Sequence, residues 1–257
     1  MKNLTALELH YLLKEFRILI NAKLDKIYHP SKKELILQFH ITNIGQKLLR
    51  IVVPNAIYFA TAKQEAKEPS QFCAFLRKNL TNSKLIEIKQ LGFERILEFV
   101  FQTKEKKFSL IFEFFSKGNI ILTKENQIIL ALEYQKWAER TIRPKEIYKY
   151  PKKEYDFLTA TMEGLKEFLK KTKKESIVTA LAIELGLGGT YAEECCILSE
   201  INKTKKPAEL SENEINRLFN AFQQLKTKKL NPKIIRKDAE IIDIVPFELQ
   251  IYKNLEQ

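Results

Sequence analysis

Ile183-Glu184-Leu185-Gly186-Leu187-Gly188-Gly189-Thr190-Tyr191-Ala192-Glu193-Glu194 is the most informative stretch of this chain. Apolar residues recur at helical spacing on both sides of it, over Ile177–Leu185 and Tyr191–Glu200, so the glycines between them mark an interhelical turn. Gly186 is placed to end the first helix in the left-handed conformation, and Gly188-Gly189 lets the backbone turn tightly. Thr190 with Glu193 reads as a capping box for the second helix. A turn of this kind presents unpaired backbone N–H groups at a helix N-terminus, a natural seat for phosphate. Gly186, Gly188, Gly189, Thr190 and Tyr191 are therefore the candidate phosphate-binding residues. The plain alternative is an ordinary turn between two helices.

Helical patterns also cover Met162–Lys171 and Glu212–Leu225, the latter with a capping box at Ser211 and Glu214 and Leu210 as a hydrophobic staple. Residues 156–235 are thus expected to form a small all-helical domain, and 236–257 the start of a connecting segment. Upstream of Tyr150-Pro151 the pattern changes. Leu24–Tyr28, Glu34–Ile41, Leu48–Val53 and Ile57–Thr61 are short strand-like runs punctuated by His29-Pro30, Asn43–Gly45 and Pro54-Asn55. From Lys84 to about Tyr134 strands return, with Phe93–Phe101, Phe108–Phe115 and Asn119–Thr123 the clearest. Two helices accompany them. One carries the stripe Leu9, Leu12, Leu13, Phe16, Leu19, Ile20 behind a Thr5–Glu8 capping box, and the other runs from Gln71 to about Leu80 behind the cap Ser70. Residues 1–155 therefore predict an α+β domain, a sheet or sandwich with covering helices, and the boundary falls near residue 155.

The 257 residues carry a formal charge of +12. Residues 1–150 hold 26 Lys and Arg against 15 Asp and Glu. A basic body attracts polyanions and releases counterions on contact, so nucleic acid or the ribosome is the favoured partner class, with a generally lysine-rich composition as the bland reading. No run of about 20 apolar residues spans a bilayer, and MKNLTALELH lacks the basic-then-apolar order of a signal peptide. Cys73, Cys195 and Cys196 form no pairing framework and no metal-ligand spacing, which predicts a reducing, cytoplasmic setting without metal or cofactor. A surface adhesin fits this profile poorly.

Gly186 to Glu194 resembles the helix–two-turn–helix of the formamidopyrimidine-DNA glycosylase group, in which such a segment grips a DNA phosphate. That group needs an N-terminal proline amine as nucleophile, whereas this chain begins Met1-Lys2-Asn3, and its C-terminal zinc finger has no cysteine counterpart here. The wider resemblance is to the NFACT family, whose members include NEMF, Caliban and the bacterial proteins once named fibronectin-binding protein A. It is carried by Lys26-Ile27-Tyr28-His29-Pro30, Phe72-Cys73-Ala74-Phe75-Leu76-Arg77-Lys78-Asn79-Leu80, Gln90-Leu91-Gly92-Phe93-Glu94-Arg95-Ile96, Lys117-Gly118-Asn119-Ile120-Ile121-Leu122-Thr123 and Tyr148-Lys149-Tyr150-Pro151, in the family's order over residues 1–250. The resemblance implies a glycosylase-like first domain followed by a helix–two-turn–helix-like or helix–hairpin–helix-like region. It also implies a non-enzymatic role in ribosome-associated quality control: binding the large ribosomal subunit with stalled peptidyl-tRNA and recruiting tRNA. A coiled coil and a further RNA-binding domain are expected in a full-length relative. A DNA-binding or repair-related protein without the catalytic proline is the alternative.

The family's Asp-Arg pair implicated in tRNA contact matches Glu94-Arg95, and its first-helix acid matches Glu8. A guanidinium forks to phosphate or stacks on unpaired bases, which suits Arg95 to the role. Read without the resemblance, Glu94 and Arg95 begin a strand and face solvent, and the capping box accounts for Glu8. Arg77 and Lys78 are either a solvated helix face or phosphate contacts. The clusters Lys170-Lys171 with Lys173-Lys174, Lys203 with Lys205-Lys206 and Lys226 with Lys228-Lys229 are solvent-facing runs or a sequence-blind phosphate track. Trp137 with Tyr134 and Arg140 reads first as packed aromatics, otherwise as a stacking surface.

Overall fold

The Thr5–Glu8 capping box forms as the spacing predicts. The Thr5 N–H donates to Glu8 Oε2 at 2.8 Å and the Glu8 N–H to the Thr5 hydroxyl at 3.2 Å, opening helix α1 (Ala6–Phe16). The computed structural model describes residues 3–63, 69–151, 153 and 155–255. Met1 and Lys2, on which the comparison with a proline nucleophile turns, lie outside them. Helix α1 buries more than the predicted stripe: Ala6, Leu7, Glu8, Leu9, Tyr11 and Phe16 are buried, while Leu12 and Leu13 are half-buried.

Strands β1 (Lys23–Ser31), β2 (Glu34–Ile41), β3 (Gly45–Val52) and β4 (Ala56–Ala60) form an antiparallel meander. Helix α2 (Gln71–Leu80) starts where Ser70 Oγ accepts the Cys73 N–H at 3.1 Å, and it lies on β1, with Arg77 Nε donating to the Ile27 carbonyl at 2.8 Å. Strands β5 (Lys84–Gln90), β6 (Ile96–Gln102), β7 (Lys107–Glu113), β8 (Asn119–Lys124) and β9 (Gln127–Ala131) make a second meander. All nine join one antiparallel sheet in the order β4-β3-β2-β1-β5-β6-β7-β8-β9. The β1–β5 junction is narrow, with Lys23 opposite Lys84 as its registered pair, and this lets the two halves fold toward each other. Phe39 of β2 stacks against Phe101 of β6, and the β7–β8 turn meets the β3–β4 turn at Gly118, whose added Cβ would lie 2.8 Å from Pro54 N. A short hairpin, β10 (Gln135–Lys136) with β11 (Thr141–Ile142), follows.

The chain divides into two compact units. The sheet unit comprises Met1–Leu4, Leu12–Leu91 and Arg95–Pro151. The other comprises Lys152–Gln257 and takes in two distant pieces, Thr5–Tyr11 and Gly92–Glu94. It is built from α3 (Met162–Lys171), α4 (Ile177–Thr179) running into a π-helical turn (Ala180–Glu184), α5 (Gly188–Leu198) and α6 (Glu212–Thr227). Its core gathers Leu7, Tyr11, Phe157, Phe168, Tyr191, Phe222 and Phe247. The capping box of Ser211 and Glu214 is present.

The prediction of an all-helical second domain needs correcting. Strands β12 (Lys233–Lys237) and β13 (Glu240–Val245) pair as a hairpin, burying Ile235 and Val245. Its turn residues Asp238 and Ala239 both have positive φ (50° and 66°), a conformation usually signalled by Asn-Gly or Asp-Gly. The Asp-Ala pair hides that signal. Phe247 and Leu249 beyond it are core residues, not the start of a connection.

Candidate functional site

Gly186 and Gly188 adopt the left-handed conformation, with φ of +81° and +77°. Leu185 N–H donates to Ala180 O and Leu187 N–H to Leu181 O, each at 3.2 Å, closing the π-helical turn on the way in. Helix α5 then begins at Gly188 with Leu187 at its N-cap and no side-chain capping bond. The expected Thr190–Glu193 capping box is therefore absent: the helix starts three residues earlier, Thr190 sits inside its first turn, and Glu193 pairs with Lys203 at 3.1 Å. An apolar N-cap leaves the first-turn N–H groups without a side-chain acceptor, the property that suits them to an anion.

Around this turn the second unit assembles residues that are far apart in sequence. Tyr191 is fully buried and donates its phenol proton to Glu8 Oε1 at 3.0 Å, and burial pushes its pKa well above the ordinary tyrosine value. Thr5, the capping partner of Glu8, stands against Gly188, where an added Cβ would meet its Cγ2 at 3.3 Å. Asp243 and Tyr252 extend the cluster. Tyr252 donates to Asp243 Oδ2 at 2.6 Å and also bonds Thr190, and burial with the nearby Asp243 pushes its pKa up to about 12. On the other side of the turn Lys153 pairs with Glu94 at 3.3 Å, and its Nζ would stand 1.9 Å from a Cβ on Gly186. Five predicted residues, Glu8, Glu94, Gly186, Gly188 and Tyr191, are thus linked through Thr5 and Lys153.

Arg95 belongs to the sheet unit. Strand β6 starts at Ile96, so Glu94 and Arg95 lie in the preceding bend rather than on the predicted strand. The Phe114 N–H of the same unit donates to the Arg95 carbonyl at 2.8 Å, and the side chain is half-buried. Arg77 and Lys78 are exposed on α2, but the Arg77 Nε–H is engaged by Ile27.

The lysine clusters are not uniform solvated runs. Lys203 and Lys205 are paired with Glu193 and Glu214, while Lys226 lies over the Phe157 ring and Lys228 over Phe247. Burial lowers the pKa of Lys226. Lys153, Asp243 and Tyr252 escaped sequence reasoning. Asp243 did leave a trace, an acid among Ile241, Ile242 and Ile244, whereas Lys153 looks like any residue of a charged loop. Among the described residues no cluster of three or more His, Cys, Asp or Glu is placed to hold a metal, and no helix is long and apolar enough to cross a membrane.

A mixed fold with a large antiparallel sheet, joined to a helical unit that holds a glycine turn, defines the class. The chain belongs to the NFACT family: residues 5–257 match its N-terminal and middle domains. It is 37% identical over 258 residues to a protein of Methanocaldococcus jannaschii named archaeal Rqc2 homolog aRqcH, covering 95% of this chain and 38% of that protein. It is 27% identical over 256 residues to ribosome quality control complex subunit 2 of Saccharomyces cerevisiae, covering 96% of this chain and 24% of that protein. The chain thus spans about two-fifths or less of these relatives. Among solved structures, the N-terminal part of the fibronectin/fibrinogen-binding protein of Streptococcus suis superposes with a TM-score of 0.77 at 24% identity, covering 96% of this chain and 91% of that one, and it shares the fold.

Proposed function

We propose that this chain is the non-enzymatic RNA-binding part of a ribosome-associated quality-control factor, one that binds the large ribosomal subunit holding stalled peptidyl-tRNA and recruits tRNA in the cytoplasm. The observation that carries this reading is the 37% identity, along 95% of the chain, to a protein named as an archaeal Rqc2 homolog. The geometry supports it in three ways. Arg95, with Glu94 before it, supplies a fork of donors with an adjacent carboxylate, a combination that reads phosphate and base edges together. The N–H groups at the start of α5 have no side-chain cap and are open to an RNA phosphate, in the manner of a helix–two-turn–helix. Arg77 and Lys78 add exposed positive charge on α2. Glu8 acts as a positioning residue: it holds Tyr191, and through Tyr191 the first turn of α5.

Co-sedimentation tests the proposal. The folded chain should pellet with purified large subunits carrying peptidyl-tRNA, more weakly with empty subunits, and more weakly still with duplex DNA. Equal or tighter binding to an abasic DNA duplex would instead favour the repair-related reading.

A further inference from the structure

The hairpin tip Trp137-Ala138-Glu139-Arg140, which the function above leaves unused, is held unusually firmly for a surface loop. Trp137 N–H donates to Arg140 O at 2.8 Å, closing the turn between β10 and β11. The Arg140 guanidinium reaches down to Glu113 of β7, which is 1% exposed and also accepts from the Tyr148 phenol at 2.8 Å. The same guanidinium lies 4.8 Å from the Trp137 ring centroid and 5.6 Å from that of Phe115. At the base of the hairpin, Asn119 is fully buried and fixes the strand from both sides, accepting the Glu133 N–H at 3.1 Å and donating to the Glu133 carbonyl at 2.8 Å.

This scaffold holds two large aromatic side chains in solvent. Trp137 is 39% exposed and Tyr134 is 63% exposed. Arg140 lies over the indole, and a cation–π contact of this kind fixes the ring's orientation. Aromatics that drive packing bury themselves; a half-open indole held in place by a cation, with an exposed tyrosine three residues before it, offers faces on which unpaired bases stack. The charges around it suit a polyanion. Lys32 and Lys117, from the β1–β2 and β7–β8 turns, are exposed and surround Glu133, whose carboxylate is neutralised chiefly by Lys33 at 2.8 Å; Lys136 is exposed on the hairpin itself. Glu139 on the tip is the opposing charge.

We propose that Trp137 and Tyr134 form a stacking platform for unpaired bases of single-stranded RNA, with Lys32, Lys117 and Lys136 taking the adjoining phosphates. The inference rests on the RNA-binding reading and adds to it a second contact, specific for unpaired nucleotides.

Trp137 is the chain's single tryptophan, so its emission reports this place alone. Titrating the 257-residue chain with an oligoadenylate should quench that emission saturably, and an RNA duplex of equal length should leave it unchanged. In fluorescence anisotropy with the labelled single strand, Trp137→Ala should weaken binding roughly five-fold or more with the salt slope unaltered. Trp137→Phe should restore most of the affinity. Replacing the three lysines by Ala should instead lower the slope of log affinity against log salt by about 0.7 per lost phosphate contact. Binding of the labelled single strand without any change in Trp137 emission overturns the platform and leaves the RNA-binding reading standing. So does equal quenching by the duplex. If the chain binds neither RNA nor ribosomal subunits, the functional reading fails first and the platform with it.

Discussion

The Tyr191 phenol and the Glu8 carboxylate meet at 3.0 Å across 183 residues of chain, inside the same compact unit. The other carboxylate oxygen of Glu8 accepts the Thr5 N–H, so this one side chain caps α1 and anchors α5. A buried carboxylate held by two donors is a fixed element, and it keeps the first turn of α5 in register with Thr5 and Gly188.

Tyr191→Phe should destabilise the protein by about 1–3 kcal/mol, because Glu8 Oε1 loses a donor where little water reaches it. Urea unfolding with an unchanged m-value checks this. A cost below experimental error would mean that Glu8 is satisfied without Tyr191.

Alkaline pH should weaken the second unit. Burial pushes Tyr11 up to about 12, and its phenol donates to the Leu225 and Lys228 carbonyls. Tyr252 is likewise raised to about 12. In both cases the folded state holds the proton more tightly than the unfolded chain, so the associated stability is complete below pH 10 and is lost as pH rises toward 12. Circular dichroism melts across that window should show a falling midpoint, and Tyr11→Phe should flatten the fall.

Gly118→Ala should cost more than Gly186→Ala. Both positions have positive φ, but a Cβ on Gly118 would stand 2.8 Å from Pro54 N, where backbone blocks it, whereas on Gly186 it meets the movable end of Lys153. We expect about 2–4 kcal/mol for the first and about 1 kcal/mol for the second. Thermal melts of the two variants decide the order.

Arg95→Ala keeps the backbone acceptor of the Phe114 N–H, and circular dichroism of the variant checks that it folds. It should weaken tRNA-dependent association with the large subunit by roughly ten-fold, as loss of a forked contact does. Unchanged tRNA binding would remove Arg95 from the interface.

The elements with local signals were readable. Ser70 marks the start of α2, Ser211 with Glu214 that of α6, and Thr5 with Glu8 that of α1, because a cap and its acceptor lie within one turn of chain. Strand β2 was visible with its ends as a short run rich in Leu, Ile and Phe between turn signals. What failed depended on distant partners. The burial of Ala6, Leu7 and Tyr11 is fixed by Phe93, Phe157 and residues beyond 160, which no periodicity within the helix reveals. The Thr190–Glu193 pattern satisfied the local rule for a cap, yet the helix began earlier. The Glu94–Lys153 pair joins two loops with no spacing to mark it. Composition suggested polyanion binding, but which lysines remain available was settled only by their pairing with Glu193 and Glu214.

The borrowing of Thr5–Tyr11 by the second unit sets the order of events during synthesis. When the ribosome has released the sheet strands, Leu7 and Tyr11 still await Leu225 and Phe247, more than two hundred residues downstream. Closing so long a loop is slow relative to local pairing. A nascent chain therefore carries Leu7 and Tyr11 of α1 uncovered, an exposure for chaperones to shield until translation reaches the residues beyond 220 that cover them.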